Sequence, residues 1–235
     1  MGATGPLTVV AAASAAWMAW AVRGRASSVF APSIWRGPRD RHAVALTFDD
    51  GPSEATPEIL EILDRHKAAA TFFVCGANVE RLPEVARAAA RAGHEIGNHS
   101  HTHPYLFLRS PGAIEADIRR AQQAIESATG VRPGCFRAPY GVRWFGLRAA
   151  QAKLHLTGVM WTAIGYDWNS GAEEVVARMA AKAANGAILC LHDGREVCVR
   201  PDVRQTVEAV RRLVPMLLDQ GYKLETVSRL LCPKN

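Results

Sequence analysis

The chain has 235 residues, 49% of them apolar and 21% charged, with a formal net charge of +6. This length and balance describe one globular domain with room for a short appendage, and exclude a largely disordered chain. The basic residues are dispersed and aromatics make up only 7%, so nucleic acid is excluded as a partner, and no protein partner can be inferred.

Residues 1–22 carry no charged side chain, and the apolar stretch from Leu7 to Val22 holds Trp17 and Trp20, with Arg23 and Arg25 just beyond it. It reads as an N-terminal hydrophobic helix that anchors the chain to the cell membrane as a single segment. A helix packed on the following domain is the alternative. The basic residues Arg23, Arg25, Arg36, Arg39 and Arg41 all follow it. That asymmetry leans the domain toward the cytoplasmic face. Residues 23–40, with Ser27, Ser28, Pro32 and Pro38, read as a linker, and 41–235 as the main domain.

From Arg41 onward strands and helices alternate. Strands are predicted at 42–46, 69–75, 94–97, 134–136, 154–162, 187–191 and 222–224. Helices are predicted from Thr56, as cap, with Pro57 and the stripe Ile59, Leu60, Ile62 and Leu63; over 83–92; from a Ser110 cap to Gly130; and over 143–153, 172–184 and 203–220. Seven strands with intervening helices imply parallel pairing with right-handed crossovers, as an open doubly wound sheet or a (β/α) barrel. The five cysteines, Cys75, Cys135, Cys190, Cys198 and Cys232, show no CxxC spacing. The first three fall in apolar runs and read as core residues.

The first predicted strand runs into Asp49 and Asp50, stopped by Gly51 and Pro52. Adjacent carboxylates resist joint ionisation unless a cation offsets them. His99 and His103, four residues apart, can aim two imidazoles at one point from a helical turn or a tight loop. With Asp50 they would form a two-His, one-carboxylate site with open positions. Three histidines in five residues also fit a plain solvated loop. His94-Glu95 does not start an HExxH zinc helix, because position 98 is Asn98.

Thr47 to Pro52, His99-Ser100 with His103, Arg137-Ala138-Pro139-Tyr140-Gly141, Asp167-Trp168 and Leu191-His192-Asp193 follow one another in this order. In that order they resemble the five motifs of the polysaccharide deacetylases, carbohydrate esterase family 4 with the NodB-homology domain. The resemblance spans roughly residues 41–222. It implies an α/β fold, a distorted, incomplete (β/α) barrel of about seven parallel strands. It also implies a hydrolase that removes N-acetyl groups from an amino sugar in peptidoglycan, a chitin-like oligomer or a lipid-linked glycan. The metal ligands would be Asp50, His99 and His103, and the ion zinc by ligand type, with cobalt, nickel or manganese as alternatives. Asp49 would be the base and His192 the acid. Arg137 would position Asp49, Asp167 would orient His192, Pro139 and the backbone N–H of Tyr140 would shape the oxyanion site, and Trp168 would meet the substrate. Competing readings are an O-acetyl esterase and a catalytically inactive sugar-binding module. The chain departs from the family pattern at Ile164, where a second acid is common, and mildly at Cys190.

Overall fold

A run of β-branched, aromatic and small apolar residues with no polar face belongs in the middle of a parallel sheet, covered on both sides. β1, Ala43–Gly51, is such a run and is buried along its whole length. In the computed structural model, which describes residues 4–232 with side chains from residue 8 onward, β1 pairs in parallel with three strands. These are β2 (Thr71–Val74), β7 (Ile188–His192) and, at its start, β8 (Lys223–Leu224). Outward from β2 lie β3 (Glu95–Asn98), β4 (Cys135–Phe136) and β5 (Thr157–Gly158), and outward from β7 lies β6 (Ala163–Ile164).

The path β5-β4-β3-β2-β1-β7-β6 therefore holds seven parallel strands, with β8 off it. Its two end strands are joined by residues 159–162 alone, which reach no more than about 18 Å when extended. The sheet must therefore curl until its edges nearly meet, which gives the expected incomplete barrel. The predicted strand at 154–162 is corrected by the same geometry. Only β5 lies within it and β6 begins just beyond its end, because the chain has to cross the gap between the two edges there.

That gap is occupied by part of the predicted linker. Ile34 bridges Val159 in parallel and Arg36 bridges Ala187 in antiparallel fashion. The Ile34 N–H donates to Gly158 and the Met160 N–H to Ile34. Phe30 and Ala31 are buried, so these residues form part of the body.

Helices α2 (Thr56–Arg65), α3 (Gly76–Arg81), α4 (Pro83–Arg91), α5 (Pro111–Thr129), α6 (Leu147–Leu154), α7 (Ala172–Ala180), α8 (Arg204–Asp219) and α9 (Val227–Leu231) accompany the sheet. The main cluster joins Phe48 and Phe72 of the sheet to Ile59, Ile62, Leu63, Val175 and Leu213 of the helices. Each such side chain contributes about 1.5–3 kcal/mol by leaving water. Ser110 caps α5 by accepting from the Ala113 N–H at 3.3 Å. Thr56, by contrast, is not the cap of α2. Its hydroxyl accepts from the Ser53 N–H and donates to the Asp193 carboxylate at 2.6 Å, while Ala55 occupies the cap position. The predicted 143–153 helix starts only at Leu147, since Gly146 at φ 88° takes the cap position and residues 143–145 belong to the loop before it.

α1 (Thr4–Arg23) follows the predicted N-terminal helix, whose first three residues lie outside the described residues. It is not packed along the domain. Ala21 is buried, while Val9, Val10, Trp17 and Trp20 are exposed. Its final turn is held by the Arg143 N–H on the Val22 carbonyl and by the Arg143 guanidinium on the Ser27 carbonyl at 2.8 Å. Among the described residues no helix is long and apolar enough to cross a membrane.

Gly130 ends α5 at φ 74° with nothing close to where a Cβ would stand. Gly130→Ala meets only the backbone penalty, about 1 kcal/mol. The melting temperature is expected to fall by about 2–4 °C, and an unchanged value would show that this helix end relaxes freely.

Candidate active site

Neighbouring residues of a regular strand point to opposite faces. At the end of β1 that alternation is broken. The register against β2 shifts between Asp49 and Gly51, and Asp50 adopts φ 71°. Both carboxylates consequently line one cleft of ≈ 890 Å³. Two glycines permit the turn, because a Cβ on Gly51 would run into the Asp193 carboxylate and one on Gly194 into the Asp50 carbonyl.

Asp49 is tied down from below. Arg137, at the end of β4 and wholly buried, donates from Nη1 to Asp49 Oδ1 at 2.6 Å and to Thr47 Oγ1 at 2.8 Å. Its guanidinium lies 4.1 Å over the Phe73 ring. The Cys190 thiol donates to Asp49 Oδ2 at 3.4 Å, and burial first, then the Asp49 charge, pushes that thiol well above its ordinary pKa. It stays a thiol and a weak donor.

His99 and His103 reach Asp50 from a loop rather than a helical turn. The His99 N–H continues the β3 ladder onto the Val74 carbonyl, and Ser100 and His103 take φ 68° and 53°. Asn98 Oδ1 accepts from the Ser100 N–H and Ser100 Oγ from the His103 N–H, which fixes the loop. His99 Nε2 and His103 Nε2 stand 3.3 and 3.1 Å from Asp50 Oδ1. His99 Nδ1 faces the Arg137 carbonyl at 2.8 Å. A carbonyl can only accept, so the proton sits on Nδ1 and the Nε2 lone pair points at Asp50. Asp50 Oδ1 is buried without a hydrogen-bond donor among the described residues. An orphaned carboxylate oxygen facing the His99 lone pair and His103 Nε2, with all three ligand atoms within 4.8 Å of one another, fits a divalent metal with open positions. His101 points away, into a pocket with Glu80 at 3.6 Å.

Across the cleft, at the end of β7, His192 Nδ1 meets Asp167 Oδ1 at 2.9 Å, and the His192 N–H donates to Asp167 Oδ2 at 2.8 Å. Thr206 of α8 donates to the same oxygen at 2.6 Å. Burial pulls the imidazole toward neutrality, but the Asp167 charge and hydrogen bond, with Asp50 and Asp49 beyond, override it and raise His192 to about 9. Burial opposes ionisation of Asp167 too. The His192 charge together with the hydrogen bonds from His192 and Thr206 outweighs it and lowers that carboxyl.

Pro139 and Tyr140 form a 3₁₀ turn with Tyr140 at φ 57°. The Trp168 ring stands edge-on to His192 at 4.9 Å and is half exposed beside Tyr166. Ile164, where the family pattern often has an acid, lines the cleft with Trp161. Of the nine non-glycine residues at positive φ among the described residues, five line this cleft. Conformations of this kind cost about 1–3 kcal/mol each, and their concentration here marks a site held by its surroundings.

Sequence reasoning placed Arg23 only beside the N-terminal helix and did not single out Glu196 or Arg195, yet all three line the cleft. The Glu196 N–H donates to Asp50 Oδ2 at 2.9 Å, and its carboxylate accepts from the Tyr140 hydroxyl at 2.7 Å. Asn78 clamps this loop by donating to the carbonyls of both Asp50 and Glu196. No local motif announces such contacts, whose partners lie far along the chain.

Comparison with known proteins bears on the same residues. The family described as polysaccharide deacetylase matches residues 36–159. The chain is 37% identical over 197 residues to a chitooligosaccharide deacetylase of Bradyrhizobium sp. (strain ANU 289), covering 80% of this chain and 90% of the relative. It is 36% identical over 201 residues to a peptidoglycan-N-acetylglucosamine deacetylase of Bacillus cereus, covering 84% and 92%. Among solved structures, the Bc1960 peptidoglycan N-acetylglucosamine deacetylase superposes with a TM-score of 0.78 at 28% identity, covering 84% of this chain and 91% of that one. BA3943 of Bacillus anthracis, described as a CE4 family pseudoenzyme, superposes at 0.77 with 29% identity, covering 85% and 68%. One fold therefore carries both active and inactive members, and the side chains of the cleft have to decide between them. With the family match extending over half of its length and close relatives over four-fifths of it, this chain belongs to the polysaccharide deacetylase family.

Proposed function

We propose that the protein is a metal-dependent hydrolase that removes N-acetyl groups from an amino sugar of peptidoglycan, a chitin-like oligomer or a lipid-linked glycan. One observation carries this reading against the inactive alternative. The converging Asp50, His99 and His103 stand between a carboxylate fixed by Arg137 and an imidazole fixed by Asp167. An amide needs an activated water, a stabilised oxyanion and a proton for its amine. The cleft offers a group for each.

A divalent metal held by Asp50, His99 and His103 supplies Lewis-acid polarisation of the acyl carbonyl and a lowered water pKa. Zinc is the first choice by ligand type, with cobalt, nickel or manganese as alternatives. Asp49 Oδ1 is committed to Arg137, so Oδ2 is the atom that takes the proton of the attacking water. The backbone N–H of Tyr140, in a turn stiffened by Pro139, donates to the developing oxyanion. His192, protonated through its pairing with Asp167, gives the Nε2 proton to the departing nitrogen as the C–N bond breaks. Trp168 and Tyr166 offer ring faces to the sugar.

The direct test is acetate release from N-acetylglucosamine oligomers, with one free amine formed per acetate and loss of both on chelation. Acetate without new amine, from an O-acetylated glycan only, would replace this reading with esterase activity.

Asp50→Ala, His99→Ala and His103→Ala are each expected to lose bound metal and activity together, because two remaining ligands hold a hydrated ion poorly. Metal analysis that finds full occupancy removes that residue from the site. Asp49→Asn is expected to keep the metal while turnover falls by about two orders of magnitude or more, and near-normal turnover contradicts the assignment.

The pH dependence follows from His192, whose protonated form is the acid. Its pKa is raised to about 9, so activity persists through neutrality and falls as pH rises through about 9. Asp167→Asn removes the charge that raises it. The alkaline limb should then move down toward the ordinary histidine value of about 6.5. A limb that stays in place would show that another group supplies the proton.

A further inference from the structure

We infer that the rim of the cleft, together with α1, docks on an anionic lipid bilayer, so that the cleft opens at headgroup depth. A chain of ring contacts leads from the site to the surface. Tyr140 stacks on Tyr105 at 4.0 Å, Tyr105 meets Phe107 at 5.6 Å, Phe107 meets Trp144 at 6.3 Å, and Trp144 meets Phe145 at 5.3 Å. The outer members do not turn inward. Leu108 is 69% exposed, Phe145 59% and Phe107 45%.

α1 leaves the body at this rim, since its last turn is bonded to Arg143, two residues before Phe145. Along the described part of the helix up to Trp20 every side chain is exposed, the apolar ones included. A helix of a water-facing domain turns an apolar stripe to its body, and this one does not. Arg23 links helix and cleft, reaching the Tyr140 carbonyl at 3.5 Å while lining the pocket.

The charges choose the occupant. No acid precedes Asp40 in the sequence, while Arg23 and Arg25 follow the helix directly. Arg109 and Arg148 are exposed at the aromatic rim. Among the described residues none of these four arginines is paired with a carboxylate. Each basic residue near an anionic lipid surface adds attraction, alongside insertion of apolar side chains. A second copy of the chain would bring like charges together at this border. A glycan chain would have no use for Val9, Val10 or Leu108, which offer neither ring face nor hydrogen bond.

Full-length protein should sediment with phosphatidylcholine vesicles containing phosphatidylglycerol, more weakly with phosphatidylcholine alone, and less as salt rises. Leu108→Glu with Phe145→Glu, on exposed positions away from the reacting groups, should cut the vesicle-bound fraction about tenfold or more and leave acetate release from a soluble oligomer unchanged. Trp17→Ser with Trp20→Ser provides a second, independent loss. Absence of vesicle binding, or binding unaltered by both pairs, overturns the inference. So does a rim variant that instead loses turnover of the soluble oligomer, which would make the rim a glycan track, or one that converts a vesicle-free dimer to monomer. Partition is read without turnover, so a protein that binds vesicles but releases no acetate refutes the deacetylase reading and leaves this inference standing.

Discussion

The ion pair between Arg137 and Asp49 is the constraint on which the rest of the site depends. Both partners are buried, and a charge in that position is tolerated only with its partner and further hydrogen bonds in place. Arg137 meets the condition with Asp49, Thr47 and the carbonyls of Val159 and Met160. It thereby ties β4, β1 and the segment that follows β5 together beneath the cleft. The same guanidinium fills barrel interior and leaves Asp49 Oδ2 with only the weak Cys190 thiol as its donor.

Around that pair the site is crowded with acid. Asp50 stands next to Asp49, and Asp193 sits under their turn, where burial first and then the charges of Asp50 and Asp49 push it to about 7 despite a hydrogen bond from Thr56. A single guanidinium cannot balance three carboxylates at this depth. Arg137 offsets Asp49 and proton uptake relieves Asp193, which leaves Asp50 facing the Nε2 atoms of His99 and His103. A cation there completes the balance, so the electrostatics of the cleft and the ligand geometry point to the same conclusion. On the opposite wall, Asp167 and Thr206 hold His192 in one orientation and keep its proton available.

Much of this was legible in the sequence because the informative signals are local. Strand-end acids, a histidine pair four apart, the Ser110 cap and the Gly130 stop each declare themselves within a few residues. The barrel itself followed from alternation plus the order of the motifs. What escaped was non-local. Thr56 resembles a helix cap, yet its hydroxyl serves Asp193, 137 residues away. Glu196 touches Asp50 across 146 residues, and nothing in its neighbourhood hints at it. The predicted linker looked aperiodic because it fills a gap as isolated bridges rather than as a strand. The shortening of the predicted 154–162 strand to β5 alone, with β6 just beyond it, reflects closure of the sheet, a property of the whole fold that no window of residues contains.

The central claim is that an ion bound by Asp50, His99 and His103 sits between Asp49 and His192. Anomalous diffraction from crystals grown with zinc tests it most directly. The account predicts one strong peak at about 2.0–2.2 Å from His99 Nε2, His103 Nε2 and a carboxylate oxygen of Asp50, with Asp49 still on Arg137. A peak on Asp49, Cys190 and His192 instead, or no peak in the cleft at all, would contradict it.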